Sequence, residues 1–222
     1  MEVWITVKYL LLIILILLVS LTPILAVGDT ISLGSVNTSP GQSSLIPITV
    51  NQDISYRGIL LHLLYPEDIV SITDVTLEND QPRWIFDWFI PEPNKLRIIA
   101  IGPDPIPGNT VFNLHIRTKD NTITQSRDIK FDYIEFSPIV ENQTFKDGIL
   151  NIYNCGDLDY NGFIDIRDVV IILKIIIGEI LPNETGVIIG DLDRNGNIGL
   201  SDAIRLLSHI VGLPVSMTDC VP

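Results

Sequence analysis

The sequence is poor in the side chains that enzymes use. Among 222 residues there are three histidines and two cysteines. His62, His115 and His209 stand outside any nucleophile motif or metal spacing such as HExxH. No catalytic acid–base pair has a recognisable scaffold to hold it, so the expectation is a protein that is not an enzyme. Positive charge is also scarce. Fourteen Lys and Arg against 27 Asp and Glu give a formal net charge of −13, which argues against a nucleic-acid partner, because that needs a basic face. The same excess suits cation binding. Helical periodicity is missing from about residue 29 to residue 153, which excludes an all-helical fold.

The N-terminus has the pattern of an export signal. Lys8 precedes the apolar run YLLLIILILLV, and Ala26-Val27-Gly28 offers small residues for cleavage before Asp29. Residues 1–28 are therefore expected to be a secretory signal, which places the protein outside the cell or at its surface. The alternative is an uncleaved membrane anchor over Tyr9–Val27, nearly long enough to span a bilayer. Sequons at Asn37, Asn142 and Asn183 are compatible with export.

Residues 29–153 alternate short apolar runs with turn residues. Candidate strands are 31–36, 45–50, 56–65, 69–77, 84–90, 95–101, 110–118, 127–136 and 149–153, separated by breakers such as Ser39-Pro-Gly41 and Pro91-Glu-Pro93. Many short strands at regular spacing predict a β-sandwich or barrel. Trp84, Phe86 and Trp88 share one face of a strand. They are expected in the core, with Asp87 outward; exposed, they would make a stacking platform for sugar rings.

Residues 154–222 are organised around two near-copies of a twelve-residue loop, DLDYNGFIDIRD at 157–168 and DLDRNGNIGLSD at 191–202, spaced 34 residues apart. Oxygen-bearing side chains fall at loop positions 1, 3, 5 and 12 with glycine at position 6, the spacing of a calcium loop. Ca²⁺ is a hard cation that takes 6–8 oxygen ligands, so the chain must curl around it and present an oxygen at every other residue. In the first loop Asp157, Asp159 and Asn161 are expected to coordinate directly and Phe163 through its carbonyl. Asp165 acts through a water, and Asp168 closes the sphere. The second loop uses Asp191, Asp193, Asn195, the Asn197 carbonyl and Asp202, with Gly199 leaving the water-bridging position empty. The cofactor expectation is two Ca²⁺. Cys155 and Cys220 bracket this segment, and in an exported protein that placement suggests a disulfide.

The two copies GDLDYNGFIDIRDVVIILKIIIG and GDLDRNGNIGLSDAIRLLSHIVG resemble a type I dockerin, the duplicated calcium module that docks into a cohesin. The resemblance covers about residues 154–222 and implies one helix after each loop and none entering it. More weakly, SPGQSSLIPITV resembles the opening of a cohesin, RGILLHLLYPEDIVSITDVTL its next two strands, and GNTVFNLHIRT and FKDGILNIY later ones. Pro66 departs from that pattern. The implied fold is a mainly β, nine-stranded jelly-roll sandwich, shared by cohesins and some carbohydrate-binding modules. It is followed by a small α domain with two EF-hand-like calcium loops.

On the two helices, Val169, Ile172, Leu173 and Ile176 match Ala203, Leu206, Leu207 and Ile210 as a shared buried stripe. The remaining apolar face, with Ile166, Arg167, Val170, Ile171, Lys174, Ile175, Leu200 and Ser201, is the expected partner-binding surface. These expectations describe a secreted, non-catalytic assembly protein. A cohesin-bearing partner binds the dockerin-like domain, and a dockerin-bearing protein or a glycan binds the sandwich. Such complexes are linked to polysaccharide breakdown. The alternatives are a carbohydrate-binding module tethered by a dockerin and an accessory subunit of an enzyme encoded elsewhere.

Overall fold

Alternation of buried and exposed side chains runs along nearly every strand, and it divides the N-terminal part of the chain into two sheets. The computed structural model describes residues 30–50, 57–78, 83–103, 110–137, 144–215 and 220; the expected signal at 1–28 and the sequon Asn142 lie outside them. Its strands are β1 (Thr30–Leu33), β2 (Val36–Thr38), β3 (Ser43–Val50), β4 (Gly58–Leu64), β5 (Val70–Leu77), β6 (Ile85–Glu92), β7 (Lys95–Ile101), β8 (Thr110–Thr118), β9 (Gln125–Ser137), β10 (Thr144–Lys146) and β11 (Gly148–Ile152). One sheet has the order β10-β1-β3-β8-β5 and the other β2-β11-β9-β4-β7-β6.

Two expectations need correcting. The run at 31–36 is two strands, β1 in one sheet and β2 in the other, and the short β10 was not anticipated. The cause is a double crossover. β1 pairs with β10 in parallel and β2 with β11 in parallel, so both chain segments pass side by side from sheet to sheet. Where they pass, a Cβ on Gly148 would run into the Gly34 carbonyl, so only glycine permits the approach. A three-residue edge strand carries too little alternation to be seen in sequence.

The core lies between the sheets. Ile46, Ile48, Leu61, Leu63, Leu96, Ile98, Phe112 and Leu114 are fully buried, each at an alternate position of its strand as the pleat requires. Trp84 is buried, and Phe86 and Trp88 pack against the same core, while Ile85 and Asp87 point outward. The expected core role of these aromatics holds.

A second, separate cluster forms beyond β11 around Leu158, Val169, Ile172, Ile189, Leu192, Ala203 and Leu206. It is built by α1 (Ile166–Ile176), α2 (Glu184–Gly190) and α3 (Leu200–Ile210). The short α2 leads straight into the second loop, with Asp191 as its C-cap, so the expectation that no helix enters a loop is wrong. The Asn183 side chain starts that helix by accepting from Gly186 N at 2.7 Å, which satisfies one orphan donor. Cys155 and Cys220 form a disulfide with Cα atoms 5.8 Å apart. The connection to the sandwich is short and anchored: Tyr153 N donates to Thr38 O (2.9 Å) and Asn154 N to Thr124 Oγ1 (2.9 Å). Among the described residues no helix is long and apolar enough to cross a membrane.

Candidate metal centres and docking faces

The two loops repeat each other bond for bond. Asp168 Oδ1 accepts from Leu158 N (2.9 Å) and Asp159 N (3.2 Å), and its Oδ2 accepts from Asp165 N (2.9 Å). Thirty-four residues on, Asp202 accepts from Leu192 N (2.8 Å), Asp193 N (3.0 Å) and Gly199 N (2.7 Å). Asp157 accepts from Asn161 N and Gly162 N as Asp191 does from Asn195 N and Gly196 N. The Asn161 side chain takes Phe163 N, and that of Asn195 takes Asn197 N. The turn geometry repeats too. Tyr160 (φ 58°) and Arg194 (φ 59°) occupy the left-handed region, as do Gly162 and Gly196 (both φ 88°). Glycine at the last two relieves the cost that any Cβ would meet there.

This curl brings three carboxylates together in each loop, Asp157–Asp159–Asp168 and Asp191–Asp193–Asp202, with an oxygen of each within 4.8 Å of the others. Asp157, Asp168 and Asp202 are completely buried. Burial pushes the Asp157 and Asp168 carboxyls above their usual range, backbone donors pull them partly back, and a neighbouring carboxylate adds to the rise. Buried like charges held this close are costly without a compensating cation. An all-oxygen donor set of this kind fits Ca²⁺ or another hard cation.

Asp165, expected to act through a water, is not one of the three clustered carboxylates of its loop. Its carboxylate caps α1 by accepting from Arg167 N (2.8 Å) and is bound by the Arg167 guanidinium (2.6 Å), which holds it below the usual carboxylate range. Asp165 therefore acts as a cap, and the first loop's extra charge is already balanced. Ser201, expected on the partner surface, instead hydrogen-bonds Asp193 and keeps that carboxyl low.

The expected partner surface also shifts. Ile171 and Ile175 pack partly on the module's own core, whereas Leu173 and Ile176 on α1 and Leu207 on α3, placed in the buried stripe by sequence, are exposed. The helix turns each face by about 100° per residue, and the burial falls one position away from the expected register. What remains exposed is a duplicated stripe: Ile166, Val170 and Leu173 on α1 with its C-cap Ile177, and Leu200, Ile204 and Leu207 on α3 with its C-cap Val211. Lys174 stands beside it, paired with Glu179 at 3.1 Å.

The sandwich offers a second apolar surface that sequence reasoning missed. The five-stranded sheet carries Ser32–Thr49 and Thr76–His115 hydrogen bonds across its strands, with Leu45 on β3 and Phe145 on β10 also exposed. On the six-stranded sheet, cross-strand register sets Ile85 beside Ile101, Asp87 beside Ile99 and Phe89 beside Arg97, with Leu60 between Ile99 and Glu135. Ile85 is 77% exposed, Ile101 54% and Phe89 42%. A shallow depression of about 310 Å³ opens between Leu60, Ile99, Ile101 and Glu135. His62 lies beside it between Arg97 and Tyr133; burial, then Arg97 and Lys95, lower its pKa. The alternation on β4, β6 and β7 signalled an outward apolar row, but sequence does not show which strands are neighbours.

No family model and no curated protein matches the chain. Solved structures do, and they define the class: the sandwich has the fold of cohesin domains. One is the non-cellulosomal cohesin from the hyperthermophilic archaeon Archaeoglobus fulgidus, with 21% identity over 57% of this chain and 92% of that one, at TM-score 0.51. Another is the seventh ScaB type I cohesin of Pseudobacteroides cellulosolvens (14%, 57% and 93%, TM-score 0.50). A third is the sixth cohesin of Acetivibrio cellulolyticus scaffoldin B, solved in complex with a mutant Cel5 dockerin (15%, 56% and 99%, TM-score 0.50). At these identities the likeness concerns the fold, over an extent that the sandwich accounts for.

Proposed function

We propose that this chain is an exported, non-catalytic assembly protein whose sandwich docks a dockerin-bearing protein and whose C-terminal module, residues 154–222, is a calcium-ordered docking module. The observation that carries the reading is the patch on the six-stranded sheet, where Ile85, Ile101 and Phe89 are exposed across the paired strands β6 and β7. Contiguous exposed apolar surface of this kind marks a protein contact. The Acetivibrio cohesin was solved with a dockerin, which supports a dockerin-bearing partner on the sandwich. That reverses the order expected from sequence, where a cohesin-bearing partner of the C-terminal module came first. The carbohydrate-binding alternative loses its basis, because Trp84 and Trp88 turn into the core.

In this reading Asp157, Asp159, Asn161 and Asp168 hold one Ca²⁺, and Asp191, Asp193, Asn195 and Asp202 hold a second. The Phe163 and Asn197 carbonyls complete the spheres. The ions supply the positive charge that six clustered carboxylates require. Fixing both loops then fixes α1 and α3, which start inside them, and so presents the exposed stripes.

The test is binding of calcium-loaded dockerin-bearing proteins from the source organism to immobilised wild-type protein, Ile85→Asp and the polar-face control Thr73→Asp. Binding to wild type and Thr73→Asp with loss in Ile85→Asp is expected. Equal binding by both variants, or none to wild type, refutes the reading.

A further inference from the structure

The chain holds sequons at Asn37, Asn142 and Asn183, and in an exported chain such triplets accept N-linked glycans. Asn142 lies outside the described residues. Asn37 is a link in a chain of bonds across strands: its Oδ1 accepts from Asn151 Nδ2 (2.9 Å), and Asn151 Oδ1 accepts from the Ser126 hydroxyl (2.6 Å). Ser39, the hydroxyl residue of that sequon, is buried. Asn183-Glu184-Thr185 has different surroundings.

Asn183 is exposed at the start of α2. Its Oδ1 carries the local contacts, accepting from Gly186 N at 2.7 Å and from the Tyr160 hydroxyl at 3.4 Å. Its Nδ2 makes no hydrogen bond among the described residues. An N-glycosidic bond replaces one Nδ2 proton and leaves the carbonyl oxygen in place, so the cap of α2 survives modification.

The same side chain stands in the wall of a groove of about 250 Å³ between the sandwich and the module. The sandwich side contributes Gln125 and Ser126 of β9 and Tyr153 just after β11; the module contributes Tyr160, Asn183 and Thr185. Aromatic rings among amides and hydroxyls match a sugar. Its C–H face packs on ring carbon, and its hydroxyls exchange hydrogen bonds with the polar groups. Beside this groove the joint is tied by Asn154 N to Thr124 Oγ1 (2.9 Å) and by the close approach of Gly162 to Ile123.

We propose that Asn183 carries an N-linked glycan whose first sugar lies in this groove and braces the module against the sandwich. This rests on export in the reading above and not on docking. The donor is a lipid-linked oligosaccharide diphosphate. Asn183 Nδ2 bonds to the anomeric carbon, and the bond from that carbon to the diphosphate oxygen breaks. The lipid diphosphate leaves with the electron pair, and the displaced Nδ2 proton passes to solvent.

The test is site-resolved mass spectrometry of peptides from the full chain, wild type and variants, each produced in the source organism. A glycan mass is expected on the peptide containing Asn183 and is lost in Asn183→Asp and in Thr185→Val. Asn183→Asp keeps an oxygen to cap α2, and Thr185→Val keeps Asn183 itself, so neither removes the helix start. Wild type recovered outside the cell with Asn183 unmodified overturns the glycan and leaves export standing; recovery only from the cytoplasm removes both. Hydrogen exchange of the same proteins reads the groove. The backbone amides of Gln125, Ser126 and Tyr153 should exchange several-fold more slowly in the glycosylated wild type than in either variant. Equal exchange in wild type and Thr185→Val overturns the bracing contact. A change in Asn183→Asp alone does the same, since it belongs to the new charge.

Discussion

Replacing Asp168 by alanine should unfold the helical module even with no metal present. The side chain is fully buried and accepts three backbone N–H bonds, from Leu158, Asp159 and Asp165. Alanine leaves all three donors without a partner. Each orphaned donor costs about 1–3 kcal/mol; taking the low end, because the vacated space admits water, gives about 3–5 kcal/mol. A domain this small rarely has more than about 3–5 kcal/mol from its core alone. Asp168→Asn retains a carbonyl oxygen for Leu158 and Asp159 but turns an amide donor toward Asp165 N, so about 1–2 kcal/mol should be lost. Asp202, with the same three bonds, serves as an internal repeat and should respond in the same order. The assay is helical circular dichroism of the full chain in chelator under denaturant. The three helices among the described residues all lie beyond residue 154, so their signal reports on the module and not on the sandwich. Equal midpoints for Asp168→Ala, Asp168→Asn and wild type would refute the claim that this carboxylate organises the loop independently of metal.

Further expectations follow from the same contacts. Removing the Cys155–Cys220 bridge, which spans 65 residues, should cost about 4 kcal/mol in the chain-entropy model, read as a lower denaturation midpoint of the helical signal for Cys155→Ser. Because burial raises the Asp157 and Asp168 pKa values above 3.8, the metal-free module should lose stability as pH rises from that value through the raised ones. Calcium affinity should move the opposite way and fall on acidification through the same window, as a pH series of calcium titrations would show. His62, whose pKa is lowered by burial and then by Arg97 and Lys95, should gain its charge at a more acid pH than an ordinary histidine. Partner binding by wild type should therefore weaken at acid pH more than binding by His62→Gln.

The loops were legible because their function is local: ligand spacing, the position-6 glycines and the 34-residue duplication are all written in consecutive residues. Asp165 shows the limit of that legibility. Spacing marks it as a water-bridging ligand, while its cap on α1 and its contact with the Arg167 guanidinium depend on side-chain geometry that a pattern of oxygen positions does not carry. Strand positions were legible from alternation, and the inward turn of Trp84 and Trp88 followed from the outward Asp87. The division of residues 31–36 between two sheets was not, since it depends on how closely Gly34 and Gly148 pass. The outer patch was missed for a related reason. Ile85, Ile99 and Ile101 look like ordinary strand residues until β6, β7 and β4 are placed side by side. On the helices the periodicity was right and its phase was not, because Ile171 and Ile175 pack against the module's own core, whose position is a matter of tertiary packing.

The central claim, that two repeated acidic loops are calcium sites on which the helical module depends, is met most directly by calorimetric titration of the full chain with Ca²⁺ after chelation, with helicity followed in parallel. Two ions bound per chain, with the thermal midpoint of the helical signal raised as they bind, is the predicted result. No calcium bound, or a helical spectrum and thermal midpoint unchanged by saturating calcium, would contradict it.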